Sequence, residues 1–554
     1  MKFSLREWIR AAVVGLLLLA WFVKYTVISS FDVIPGNIGD ARFLLYLCEH
    51  WYQVFTGRAD WLSPGMFYPQ AGALGFSDSL FLFGIVYSFL RKAGLDPYAA
   101  YQVIVIALPF LGFVGAWVML RYWFGFVPLA SLLGAALFGY SSALYTSMAH
   151  AQLEAAALLP VLAILLAYYL SWLGNRDQAA NLSGLTFCVL FPLLAYTSFY
   201  TAWFLVLWLS VAATLGLVWI LIGGHQALVA IWLRKVAQCW INISANLCVA
   251  AIFSVPFLLT YVPVLRLFSR RPFPEIVPML PGPIDLVNVG FENFAWGRLL
   301  QTLDPFLQTR PSFWELDKGV SFLVLLTFTC GSLLSLKRVH DPQRSTADVL
   351  VLICALTVWS GWLLMLKVEG HSMWWVIYRF FPGAGAVRAV YRFNISLMLP
   401  VAVVIAFVVH HCVMFFKRRT SRLGVSVLAV LALAMVVEQG NAHRDVFSKS
   451  VERTFMASVP PAPGSCRSMV MVADQDTHMG WWAPLQIDAM LIAQANHIPT
   501  VNGYSGWTPD GWALHMPTEH GYKERVHDWI MGQNVPNGLC SFQYETRKWA
   551  PFKS

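Results

Sequence analysis

Long apolar runs decide what this chain can fold into. Eleven of them lie near residues 10–30, 98–120, 126–145, 151–173, 180–200, 201–222, 240–264, 319–336, 347–366, 394–416 and 423–438. Each approaches the length of about 17–25 residues that a helix needs to cross a bilayer. The runs at 180–200 and 201–222 are nearly continuous, and Thr197-Ser198-Phe199-Tyr200 is the natural place to divide them. Of 554 residues, 58% are hydrophobic and 12% charged, whereas soluble domains are about a quarter charged. The expectation is an α-helical polytopic membrane protein with about 11 transmembrane helices.

The net charge of +9 first suggests a nucleic-acid partner. The distribution of the basic residues argues against one. With the N-terminus in the cytoplasm, the short inside loops hold Lys2, Arg6 and Arg10, then Arg121, Arg176, Arg234 and Lys235. Further along they hold Lys337, Arg338 and Arg344, then Lys417, Arg418, Arg419 and Arg422. The outer loops, 31–97, 265–318 and 367–393, are longer and mixed in charge. This is the positive-inside pattern. Residues 1–31 have a basic start and a run long enough to span, and read as an uncleaved signal anchor. An odd number of spans puts the C-terminus outside. The segment at 78–92 is too short to cross and reads as an interfacial or re-entrant helix.

Residues 1–439 thus form the membrane domain, and residues 440–554 a small soluble α/β domain. "CRSMVMV" and "CSFQYE" alternate like short strands, while "APLQIDAMLIAQAN" has helical spacing. Cys466 and Cys540 lie in this polar tail, and outside the cytoplasm they are candidates for a disulfide.

The outer ends of the spans gather the polar residues able to do chemistry. After the turn-rich "PGNIG", "DARFLLYLCEHWYQVF" reads as an amphipathic helix with Asp40 at its N-cap. A capping carboxylate stabilises by about 0.5–2 kcal/mol and needs no further role. The functional alternative is a carboxylate facing a cavity at the membrane surface, able to take a proton from a hydroxyl, with Arg42 steering it or holding a phosphate. In "FFPGAGAVRAVYRF", Arg388 and Arg392 are four apart and would share a helix face suited to a phosphate headgroup; snorkelling to the headgroup layer is the alternative. His150 and Glu154 are also four apart, at the start of a span, and fit either a lining pair or an acidic first turn. Tyr200 and His371 are further outer candidates. In "VNGYSGWTPDGW", glycine turns present Tyr504 and Trp507, whose faces suit a sugar ring or a buried turn cluster.

With "IGDARFLLYLCEHWY" after the first span, a loop helix at 78–92 and a soluble C-terminal tail, the chain resembles the GT-C superfamily of membrane glycosyltransferases. "FSDSLFLFG", "VRAVYRF" and "VNGYSG" strengthen the likeness to a little-characterised bacterial branch of that class. The resemblance implies an inner-membrane enzyme moving a sugar from a polyprenyl-phosphate-linked donor to a hydroxyl acceptor on the periplasmic face, amid membrane lipids. It implies Asp40 as catalytic base, Asp78 as a second acid, and Arg388, Arg392 and Arg42 as phosphate ligands. Members often have an adjacent acidic pair here. This chain has Ala41 and Arg42 after Asp40, which leaves a requirement for Mg²⁺ or Mn²⁺ open. A transporter or flippase, or a non-catalytic scaffold of surface-polysaccharide assembly, are the competing classes. A transporter would need polar groups at mid-membrane and related halves, neither of which the sequence displays.

Overall fold

The structure, a computed structural model, describes residues 4–173, 178–223, 226–268, 270–303, 315–442, 445–477 and 480–552. The expected inside-loop residue Arg176 and part of the outer loop at 265–318 fall outside them.

The apolar runs form helices, as their hydrophobicity and scarcity of charge require. The first is α1 (Leu5–Phe22), followed by α2 (Asp40–Phe55) and α3 (Phe81–Lys92) in the first loop. Nine helices among the described residues are long and apolar enough to cross a membrane. They are α4 (Pro97–Trp123), α5 (Pro128–Tyr145), α6 (Ala151–Trp172), α7 (Gln178–Thr197), α8 (Phe199–Ile222), α9 (Trp240–Leu267), α10 (Phe322–Val339), α11 (Thr346–Met365) and α12 (Val390–Arg418). The break between α7 and α8 falls at Ser198. Two of the eleven expected spans fall short of this measure. In α1, Arg6, Glu7 and Arg10 dilute the apolar run, and α13 (Arg422–Val437) has only 16 residues. Both still join the bundle, α1 against α4 and α5, and α13 against α12.

The bundle has a dry centre and a lipid-like rim. Helix α12 runs through the middle, buried almost continuously from Phe393 to Phe407, and packs on α5, α10 and α11. Helix α9 is at the other extreme. It leans on α7 and exposes Ile252, Leu258, Leu259 and Leu265. Such a surface in a soluble protein would drive association; in a bilayer it needs no partner.

At one end of the bundle, α2 packs against α3 and against the C-terminal segment. Strand β1 (Val33–Pro35) pairs antiparallel with β4 (Val446–Ser448), after the small β2–β3 hairpin (Lys367–Val368 and His371–Ser372). The chain leaving the first helix is therefore stitched to the chain leaving the last. Beyond α14 (Lys449–Ala457), β5 (Ser468–Val472) and β6 (Leu539–Gln543) pair in parallel, and β7 (Lys548–Pro551) adds antiparallel. Helix α15 (Ala483–Ala495) is buried between this sheet and α2. A disulfide joins Cys466 and Cys540, closing most of this unit onto itself.

Candidate active site

Where α2, the ends of α8, α9 and α12, and the C-terminal unit converge, a cavity of about 870 Å³ opens. One wall is apolar and belongs to α9: Phe257, Leu258, Tyr261, Leu265 and Phe268. This wall continues onto the exposed, lipid-like face of the same helix. The opposite wall is aromatic and comes from the C-terminal unit: Trp481, Trp482, Tyr504 and Trp507. Between them sit Asp40, Asp78, His150 and five arginines, Arg270, Arg271, Arg379, Arg388 and Arg392.

Asp40 is not the N-cap of its helix. Gly39 holds that position and no side chain caps α2. As the first helical residue, Asp40 has the positive end of the helix dipole behind it, which favours a carboxylate. Its side chain turns to the cavity instead of to the backbone. Oδ1 accepts a hydrogen bond from the Tyr504 hydroxyl at 2.7 Å, and Oδ2 accepts one from Asn37 Nδ2 at 3.4 Å. Burial and the nearby Asp40 carboxylate both push the Tyr504 phenol up, so it remains a donor.

Asp78 stands across the cavity at the start of α8. Its Oδ1 accepts the Phe199 N–H at 2.7 Å, and burial pushes its pKa up to about 6 against the opposing pull of that bond and of Arg392. His150 also lines the cavity, beginning a 3-10 segment (Ala151–Leu158) in place of the expected regular first turn. Burial, then Arg392, brings His150 down to about 4. Its Nε2 lies 3.7 Å from Glu315 Oε1. Glu154 is fully buried and is absent from the cavity wall.

The arginines divide into two kinds. Arg392 is buried and forks onto both carboxylate oxygens of Glu315, with Nε at 3.0 Å from Oε2. Its charge is already matched. Burial raises the Glu315 carboxyl, but Arg392 and Lys318 outweigh it and hold the group below the usual range. Arg388 is different. It does not share a helix face with Arg392, because the chain from Val387 to Ala389 is irregular and only a short 3-10 turn (Val390–Arg392) precedes the regular helix. Its backbone N–H is fixed by the Tyr200 hydroxyl at 2.9 Å while the side chain is exposed at the cavity. Arg271 faces it. Burial and then the like charge of Arg388 pull the Arg271 guanidinium below its usual range, a condition that a bound anion relieves. Arg271 is held by the Gly506 carbonyl at 2.8 Å and lies 3.9 Å over the Trp507 ring.

Besides Glu154 and Arg392, three expected site residues lie elsewhere or are differently occupied. Arg42 does not reach the cavity. It is 2% exposed, bonded to Asp488 and with Nε 3.0 Å from Glu452 Oε2, because position 42 leaves α2 on the side away from Asp40. His371 is exposed on the β2–β3 hairpin and does not line the cavity. Trp507 lines it, but its ring is stacked on Phe268 and covered by Arg271. In turn, sequence reading missed Arg271, Trp481, Trp482 and Glu315. The Arg270-Arg271 pair was findable, since it follows a span at the outer end, where the positive-inside rule asks for no arginine.

Among the described residues no three His, Cys, Asp or Glu side chains converge as a metal cage. Asp40 and Asp78, each hydrogen-bonded, are the acids in the cavity wall.

The architecture is similar to that of a solved oligosaccharyltransferase, and two further structures align more weakly. The oligosaccharyltransferase of Archaeoglobus fulgidus, solved with zinc and sulfate, aligns over 96% of this chain and 67% of its own, with 13% identity and a TM-score of 0.52. The arabinofuranosyltransferase AftD from Mycobacteria aligns over 90% and 32%, with 12% identity and a TM-score of 0.45. ArnT from Cupriavidus metallidurans in the apo state aligns over 90% and 86%, with 13% identity and a TM-score of 0.35. No family model and no curated protein sequence matches the chain. The protein has the GT-C fold, and is a helical, multi-pass membrane protein.

Proposed function

We propose that this protein is a glycosyltransferase that moves a sugar from a polyprenyl-phosphate-linked donor to an acceptor hydroxyl, on the periplasmic face of a bacterial inner membrane. The observation that carries the reading is Asp40: a carboxylate free of any capping duty, held in a cavity with a lipid-like wall on one side and the guanidinium groups of Arg271 and Arg388 in its lining. In the proposed step, Asp40 removes the proton of the acceptor hydroxyl as its oxygen attacks the anomeric carbon. The bond from that carbon to the phosphate oxygen breaks, and the electron pair leaves on the lipid phosphate. Arg271 and Arg388 stabilise that charge. The polyprenyl chain lies along α9, so that only the headgroup leaves the membrane. Asp78, with its pKa raised to about 6, is the second acid and exchanges a proton in mildly acidic solution. The basic loops orient the N-terminus to the cytoplasm and the C-terminal unit to the periplasm.

The test is Asp40→Asn, with the membrane level of the protein verified and the surface glycan analysed. Asparagine keeps the shape but cannot serve as a base. The expected outcome is a glycan lacking one sugar, with incorporation down by at least about 100-fold. An unchanged glycan at normal protein level would remove Asp40 from the chemistry and leave transport or a scaffold role ahead.

A further inference from the structure

Helix α2 is gripped by the C-terminal unit on both of its faces, and its first turn carries Asp40. Successive α-helical residues turn by about 100°, so positions 40 and 42 point to nearly opposite sides. On the cavity side, Tyr504 donates to Asp40. On the far side, Arg42 is buried between Asp488 of α15 and Glu452 of α14. Trp481 lies against the backbone between these two contacts, so closely that a Cβ on Gly39 would overlap the indole. Lower down, Gln494 of α15 donates to the Tyr46 carbonyl at 3.0 Å, and Gln53 returns a bond to the Gln494 carbonyl at 3.1 Å.

Tyr504 itself has little freedom. The two residues before it are locked by α15: Gln486 Oε1 accepts from Asn502 Nδ2 and from the Gly503 N–H, both at 3.0 Å. Asn502 Oδ1 in turn accepts the Met471 N–H of β5 at 2.7 Å. The phenol therefore reaches Asp40 from a rigid platform built on the sheet of the C-terminal unit.

We propose that the C-terminal unit is a working part of the active site: Tyr504 is a positioning residue that orients the Asp40 carboxylate, and Arg42 fixes the helix turn that carries it. The proposal rests on the reading of Asp40 as the base. Without the Tyr504 hydroxyl the carboxylate loses the shorter of its two hydrogen bonds and with it a fixed orientation towards the cavity. Asp40 also faces His150, Arg392 and Tyr101, all of which stay in place when only the Tyr504 hydroxyl is removed.

The experiment uses the full-length protein in a deletion strain, with Tyr504→Phe, Arg42→Lys and Asp40→Asn compared at equal membrane level. Sugar incorporation into the surface glycan is followed over external pH, and binding of undecaprenyl phosphate to the purified variants is measured in parallel. Tyr504→Phe is expected to lower incorporation roughly 10- to 100-fold, as fits a lost hydrogen bond to a charged group, with the loss in the maximal rate and lipid binding unchanged. Arg42→Lys is expected to lower incorporation and to speed hydrogen exchange over residues 37–45, whereas Tyr504→Phe leaves that exchange alone. Wild-type incorporation by Tyr504→Phe across the pH range, with Asp40→Asn inactive, would overturn this proposal while leaving the base assignment standing. Full activity of Asp40→Asn would overturn both.

Discussion

Arg388 and Arg392 look alike in the sequence and differ in what surrounds them. A guanidinium forked onto a buried carboxylate has its charge and geometry already used, so Arg392 serves the wall more than any ligand. Removing it leaves Glu315 buried without its counter-ion. Arg392→Ala is thus expected to cost about 3–5 kcal/mol of stability, seen as a lower unfolding temperature in detergent. Arg388 is exposed at the cavity, and Arg271 has only the half-exposed Glu275 carboxylate, 3.7 Å away, to set against its charge. Alanine at either is expected to weaken binding of undecaprenyl phosphate by roughly tenfold, the equivalent of one charge-assisted hydrogen bond, with little change in unfolding temperature. The sequence offered the right residue types and the wrong pairing. Spacing of four implies a shared face only if the segment is helical, and Gly383 and Gly385 start an irregular turn that breaks the assumption. Arg42 teaches the converse. Its separation from Asp40 by two helical positions already excluded a joint role in one cavity.

At the scale of elements, the membrane helices were legible because lipid imposes a length and a composition on each of them separately. The break at Ser198 and the elements at 468–472, 483–495 and 539–543 followed from the same local logic. The start of α2 was legible to within one residue, and that residue matters: Gly39 takes the N-cap and releases Asp40 from it. The reason for a glycine there lies 442 positions away. Trp481 closes over Gly39, where a Cβ would meet the indole, so the position requires space. Gly39→Ala is therefore expected to push the indole off the helix start and to cost about 1–3 kcal/mol, with a loss of sugar incorporation larger than that stability change explains. Thermal unfolding and the glycan assay on one preparation check the two parts together.

Across the whole molecule, the site joins residues that local patterns cannot connect: Asp40 and Tyr504 are 464 positions apart, and Arg42 and Asp488 are 446 apart. The junction between membrane domain and C-terminal unit sets the buried carboxylates of Asp488 and Glu452 against the buried Arg42 guanidinium, with the half-buried Arg547 also acting on Asp488, which leaves Glu452 as the charge in excess. Burial raises Glu452 from its usual 4.5 to about 7, against the pull of Arg42 and with the help of Asp488. Tyr98 of α4 also faces this group. A carboxyl whose folded pKa lies above its unfolded one binds more protons when folded. Its contribution is fully present below about pH 4.5 and is lost as pH rises through about 7. The junction should thus be tighter at pH 5.5 than at pH 8. Hydrogen exchange at α14 and at the start of α2 is expected to quicken over that interval in the wild type. Glu452→Gln keeps the shape and removes the excess charge, so in that variant exchange should lose most of its pH dependence and stay slow at pH 8. Exchange that changes equally with pH in both proteins, after correction for intrinsic rates, would mean that the excess charge does not govern the junction.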